Sequence, residues 1–276
     1  MGFDDYGGQL KHHVSAHPRV DRKTGELFAF AYSSEKPEVY LSVFDQKRQL
    51  LSSITIPVVC PRMLHDFQIT EHYAIVPDLP AEMLPEKSIR ENKFIVDYNK
   101  EGTTRYGIID RYSQDPTSIK WFETSTHYVF HYANSWEETN ENGETVVVVH
   151  GCKYDVIDIE ISPDVEKQTL QDIKNGKETP SDLVRYNFNM TTSESSEEIL
   201  IKGFGGEFPI VNQDFIGYQN RWVYMPYDDF SRTDDSREAM ENRFFSCMMK
   251  YDLQEKKIVA QVPFGENCTT GEVFFQ

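Results

Sequence analysis

The chain has 276 residues, with 28 Lys and Arg against 45 Asp and Glu, a formal charge of −17. A surface of that sign repels phosphate, which excludes nucleic acid as a partner and charge-driven binding to anionic lipid. Hydrophobic residues make up 39% and aromatics 13%, which excludes a wholly disordered chain, and no window approaches the run of about 18 apolar residues that a membrane-spanning helix needs.

The opening Met1-Gly2-Phe3-Asp4-Asp5-Tyr6 has neither the basic nor the apolar region of a signal peptide. Cys60, Cys152, Cys247 and Cys268 are scattered and form no C-x-x-C pair. They read as small buried apolar side chains in a reducing compartment, and the expected location is cytoplasmic. Strands are predicted over Glu26–Tyr32, Glu38–Phe44, Leu50–Ile56, His72–Val76, Arg105–Tyr112, Glu144–His150, Lys153–Ile159, Arg221–Tyr227, Phe244–Tyr251 and Lys257–Val262. These runs are rich in β-branched and aromatic residues, and some alternate polar with apolar. Polar turns such as Asp21-Arg-Lys-Thr-Gly25 and Asn140-Glu-Asn-Gly143 separate them. Short strands at this spacing point to a sandwich, barrel or propeller. One helix is expected, capped by Ser162, with Pro163 in its first turn and Asn175-Gly176 at its end. Lys177–Glu198 is polar and reads as an exposed excursion between strands. Asp228–Ser236 reads as a solvated acidic loop whose spacing is not that of an EF-hand.

The sequence holds no G-x-S-x-G, no phosphate-binding G-x-x-x-x-G-K-[ST] and no H-E-x-x-H. Interest therefore falls on eight histidines: His12, His13, His17, His65, His72, His127, His131 and His150. His13 and His17 have a helical metal spacing, but Pro18 disfavours helix at His17. Three contexts stand out: Ser-Ala-His17-Pro-Arg-Val-Asp21, Arg62-Met-Leu-His65-Asp-Phe-Gln-Ile-Thr70 and Val129-Phe-His131-Tyr-Ala-Asn-Ser-Trp-Glu-Glu138.

In this order and at these separations, the three segments resemble the carotenoid cleavage dioxygenase family, which includes stilbene-cleaving oxygenases and retinoid isomerohydrolases. Gly206-Glu-Phe-Pro-Ile-Val-Asn212 resembles the family's E-F-P-x-[IV]-N segment, and Gly271-Glu-Val-Phe-Phe275 its G-E-x-x-F segment. The resemblance runs from Ala16 to Phe275. It implies an all-β fold, a seven-bladed β-propeller with iron(II) on its axis. It also implies that His17, His65 and His131 are metal ligands. Glu207 then orients His131, and Glu272 serves a fourth histidine. Imidazole suits iron, and a carboxylate behind it fixes tautomer and orientation. Read without the resemblance, Glu207 is a turn residue beside Pro209 and Glu272 a polar strand residue.

The family's fourth histidine follows the G-E-x-x-F segment, whereas no histidine follows His150 here. Further blades precede the first histidine in the family. Residues 1–276 are therefore expected to form one incomplete propeller domain, an internal fragment with a short helix and a polar loop excursion. The resemblance implies a non-haem iron(II) dioxygenase that uses O2 to split a C=C bond of a carotenoid or apocarotenoid, an apolar polyene, into two carbonyl products. It also implies peripheral membrane contact in a full-length protein. The rival is a catalytically inactive truncated propeller acting as an interaction module. A zinc hydrolase using three histidines ranks last.

Overall fold

A computed structural model describes residues 4–92, 94–157, 179–227, 245–265, 268 and 270–275. The architecture is all-β, in successive antiparallel sheets. The first sheet runs in the order β1 (Arg19–Asp21), β2 (Glu26–Tyr32), β3 (Glu38–Phe44), β4 (Leu50–Pro57). The second runs β5 (Gln68–Ile69), β6 (Tyr73–Asp78), β9 (Thr104–Asp110), β10 (Lys120–Thr124). A hairpin of β7 (Ala81–Met83) and β8 (Val96–Tyr98) is inserted between β6 and β9 and carries the helix α1 (Pro85–Glu91). The third sheet is β11 (Tyr128–Thr139), β12 (Thr145–Tyr154), β13 (Asp182–Asn189), β14 (Ser195–Ile201). The fourth is β15 (Trp222–Tyr227), β16 (Cys247–Asp252), β17 (Lys257–Pro263). Up-and-down sheets in chain order are how propeller blades are built.

Burial explains the sequence pattern. Strand β12 is interior to its sheet, and Val147, Val148, Val149, Gly151 and Cys152 are all buried. A strand covered on both faces reads as an unbroken apolar run and not as alternation. Phe28, Phe30, Phe67, Tyr106, Phe122 and Phe188 belong to one core cluster that spans the first three sheets. Lining residues of this size contribute about 1.5–3 kcal/mol each when fully buried.

Several sequence expectations change. The expected helix at Ser162–Gly176 and the acidic loop at Asp228–Ser236 lie outside the described residues. A short helix is instead present at Pro85–Glu91, where Pro at the first turn and Asn92 in the left-handed region (φ 51°) bound it. The polar excursion Lys177–Glu198 is a correction. Within it, Asp182–Asn189 is a strand with alternating buried residues, paired to Ser195–Ile201 through Leu183↔Ile201 and Phe188↔Ser195. Its polar residues lie on β14, an edge strand open to water. The two strands predicted on either side of Gly151 are one strand, because Gly151 pairs opposite Tyr132 without ending the ladder. Cys152 and Cys247 are buried as expected, whereas Cys268 is exposed. Among the described residues, no helix is long and apolar enough to cross a membrane.

Candidate metal centre

The edge strands of the four sheets share a feature. His17 lies two residues before β1, His65 three residues before β5, and His131 within β11. Glu207 lies three residues before Ile210, which bridges to Tyr224 of β15. The first three side chains come from just before or within the first strand of their sheets, and Glu207 from a segment paired alongside β15.

The three imidazoles meet. Nε2 of His65 lies 3.0 Å from Nε2 of His17 and 3.1 Å from Nε2 of His131. The ring centroids form a nearly equilateral triangle with sides of 4.7, 4.7 and 4.8 Å. Among the described residues, these three are the group of potential metal ligands whose donor atoms cluster. At a metal–nitrogen distance of about 2.1 Å, as in zinc–imidazole bonds, a right angle at the metal separates two nitrogens by about 3.0 Å and a tetrahedral angle by about 3.4 Å. The spacings of His65 from His17 and from His131 are within what two ligands of one ion can span.

The hydrogen bonds fix the donor set. His131 Nδ1 donates to Oε2 of Glu207 at 2.6 Å, which leaves the lone pair of neutral His131 on Nε2, facing the other two rings. Glu207 Oε2 also accepts the backbone N–H of Phe208 at 2.7 Å. Phe208 has φ 50°, in the left-handed region that side chains rarely adopt. Burial pushes the His65 pKa down to about 4, helped by the neighbouring His131 and His17 and opposed by Asp66. Burial also lowers His17, again against Asp66. For His131 burial favours the neutral ring, but the bond and charge of Glu207 outweigh it and raise the pKa. A proton on one Nε2 can bridge a single pair of rings at a time, whereas a cation can take the lone pairs of all three neutral imidazoles, so the donor set fits a metal ion.

Two interruptions in the β11–β12 register fall here, between Val129 and Tyr132 and between Tyr132 and Asn134. Each places an extra residue on β11, which breaks the period-two alternation and re-aims the side chains beside it. His131 lies within the first, and Tyr132 is the paired residue between the two. His127 precedes the strand and is fully buried elsewhere, with Nε2 2.9 Å from Tyr106 Oη and Nδ1 donating to the Ser125 carbonyl at 2.7 Å. His12 Nε2 meets Ser42 Oγ at 2.7 Å, His72 bonds Glu137 at 2.8 Å, and His150 stacks on Trp136 at 4.7 Å. His13 packs edge-on against Tyr32. Glu272 is exposed. Its charge reaches His17 and His131, but among the described residues it makes no hydrogen bond to a histidine.

Sequence reasoning assigned no role to Asp66, Phe130 or Phe208. Phe208 packs 4.6 Å from the ring of His131, and Phe130 stands edge-on 5.8 Å from His65. Asp66 is buried beside the cluster. The signal was present in each case, because all three adjoin a residue already singled out. A cleft of about 370 Å³ reaches His65 and is lined by Val14, Ala31, Tyr32, Leu64 and Met83 among others.

Successive antiparallel sheets with three histidines gathered at one point define an all-β protein of propeller-like architecture with a candidate metal-binding cluster. The chain belongs to the family described as retinal pigment epithelial membrane protein (RPE65), whose profile matches residues 1–276. It is 34% identical over 224 residues to carotenoid 9,10(9′,10′)-cleavage dioxygenase 1 of Arabidopsis thaliana, covering 81% of this chain and 39% of that protein. It is 31% identical over 279 residues to 9-cis-epoxycarotenoid dioxygenase NCED1 of Oryza sativa subsp. japonica, covering 99% of this chain and 40% of that one. Among solved structures, Pseudomonas brassicacearum lignostilbene dioxygenase superposes with a TM-score of 0.80 at 19% identity, covering 96% of this chain and 54% of that one. Cobalt-substituted Synechocystis ACO gives 0.76 at 22% identity, covering 99% and 55%. The chain thus spans about two fifths of these curated relatives and about half of these solved ones.

Proposed function

We propose that this chain carries part of the site of a non-haem iron(II) dioxygenase that cleaves a C=C bond of a carotenoid or apocarotenoid into two carbonyl products. The observation that carries this reading is the convergence of His17, His65 and His131 through Nε2, with Glu207 behind His131. Iron(II) bound there would supply redox activation of O2. Glu207 holds a proton on Nδ1 of His131 and so keeps Nε2 available as a donor. Phe208 packs against His131 and Phe130 against His65, holding the two rings in place. The cleft beside His65 receives an apolar chain between Leu64, Tyr32 and Met83. Glu272 acts from further out, through its charge. In the overall reaction the C=C bond breaks and each carbon takes one oxygen atom of O2. Residues 1–276 act as one domain in this reading. The family relationship to proteins named as carotenoid cleavage dioxygenases supports the substrate class.

The test is mass spectrometry of products formed under labelled O2 by the iron-loaded protein given an apocarotenoid, a carotenoid or a stilbene. Label in both carbonyls is expected, within a time short enough to limit exchange with water. Products formed without O2 would overturn the oxygenase reading. A second reading, a catalytically inactive propeller serving as an interaction module, is favoured by β17, whose residues are all exposed, Val262 at 58%. An iron-loaded protein that cleaves none of these substrates would favour it.

A further inference from the structure

We propose that Asp66 is a positioning residue for the histidine cluster, a single buried carboxylate that sets the spacing of the three segments carrying His17, His65 and His131. Its Oδ2 accepts from Nη2 of Arg19 at 2.5 Å and from the backbone N–H of Tyr132 at 3.0 Å. Its Oδ1 accepts from the backbone N–H of Phe67 at 2.8 Å. Arg19 lies two residues after His17, Asp66 directly follows His65, and Tyr132 directly follows His131. Arg19 adds a second tie through Nε to the Phe67 carbonyl at 3.0 Å. The Asp66 side chain is 1% exposed, so water cannot replace these partners. The Tyr132 N–H lies at the irregular stretch of β11, where the ladder alone does not fix the backbone.

The chemistry requires a carboxylate. Three donors converge on two oxygens, and an ionised Asp accepts at both. An Asn of the same shape must turn its NH2 toward one of those donors, whichever way the amide is flipped. Asp66→Asn therefore loses a tie without losing volume. Asp252 provides a matched control. It is also buried, and it accepts from Arg221 and from the backbone N–H groups of Gln254 and Glu255, but on β16, away from the histidines.

The inference rests on reading the histidines as a metal centre, and the experiment separates the two. Cobalt(II) is titrated into the wild type, Asp66→Asn and Asp252→Asn, with the visible ligand-field bands and thermal unfolding recorded for each. Asp66→Asn is expected to lose cobalt affinity by about 10-fold or more with shifted bands, in the range of changes to groups that orient ligands. Asp252→Asn is expected to lose comparable thermal stability and keep wild-type affinity and bands. Equal effects of the two substitutions on cobalt, or no effect of Asp66→Asn, would overturn the assignment. If Asp66→Asn does not fold, Arg19→Gln takes its place, with the same direction expected and the same contrary result. If the wild type takes no cobalt, the metal reading fails. The Nε2 spacings in metal-free crystal structures of wild type and variant then decide the positioning role, which requires them to widen in the variant and is refuted if they do not.

Discussion

Nδ1 of His131 and Oε2 of Glu207 are 2.6 Å apart, and this one bond decides which nitrogen of His131 faces the other imidazoles. Glu207→Gln keeps an oxygen acceptor and removes the charge. Metal affinity is expected to fall by about 10–100-fold, less than for His131→Ala, which removes the donor itself. Titration of both variants checks the order. An unchanged affinity in Glu207→Gln would return Glu207 to a purely structural role.

The same bond makes a pH prediction for the metal-free protein. His131 is expected to titrate above the ordinary histidine value, because Glu207 outweighs burial. His65 is expected to remain neutral down to about pH 4. A histidine with a raised folded pKa stabilises the fold fully below its unfolded value, and that contribution fades as pH rises through the folded value. In Glu207→Gln the largest opposition to burial is lost, leaving the weaker charges of Asp66 and Glu272, and the His131 titration moves down. Histidine proton resonances followed against pH report all three. His65 titrating above His131 would contradict the electrostatic reading.

Gly151 faces the interrupted stretch of β11. A Cβ there would lie 2.8 Å from Cδ1 of Tyr132 and 3.2 Å from Cγ1 of Val129. Gly151→Ala is expected to cost about 1–3 kcal/mol in denaturant unfolding and to weaken metal binding, since the ring that must move belongs to the residue after His131. Lost stability with unchanged metal affinity would show that Tyr132 yields without moving His131.

His127→Ala separates stability from metal binding. The ring is fully buried and bonded at both nitrogens, and its removal leaves the Ser125 carbonyl and one bond of Tyr106 without that partner. A loss of about 1–3 kcal/mol is expected, with metal binding unchanged. A fall in metal affinity beyond that of Gly151→Ala would place His127 in the site.

The sequence readily yields strands whose burial is continuous or strictly alternating. Glu26–Tyr32 and Glu38–Phe44 have the predicted ends. Strand β11 is hidden because its register breaks once across His131 and again after Tyr132, so no single period runs through it. The same breaks explain why the four-residue spacing of His127 and His131 says nothing about a shared face. Edge exposure makes Ser195–Glu198 of β14 read as loop, whereas the alternation of β13 is legible from Val184 to Asn189 and is masked only by the polar stretches on either side. The three histidines could be found from the resemblance of their flanking residues. Their meeting through Nε2 could not be read, because it depends on how successive sheets are placed around a common point. Asp66 was passed over for the same reason, since its partners are 47 and 66 residues away.

The central claim is that His17, His65 and His131 are three of the ligands of one iron(II) ion. Anaerobic titration of iron(II) into the wild type and the variants His65→Ala, His131→Ala and His127→Ala, read as bound metal per chain, tests it most directly. In the full-length protein with the fourth histidine that the resemblance implies, one ion per chain is expected in the wild type and in His127→Ala, with binding lost in His65→Ala and His131→Ala, while residues 1–276 alone are expected to bind iron poorly. Wild-type binding of iron in both His65→Ala and His131→Ala would contradict it.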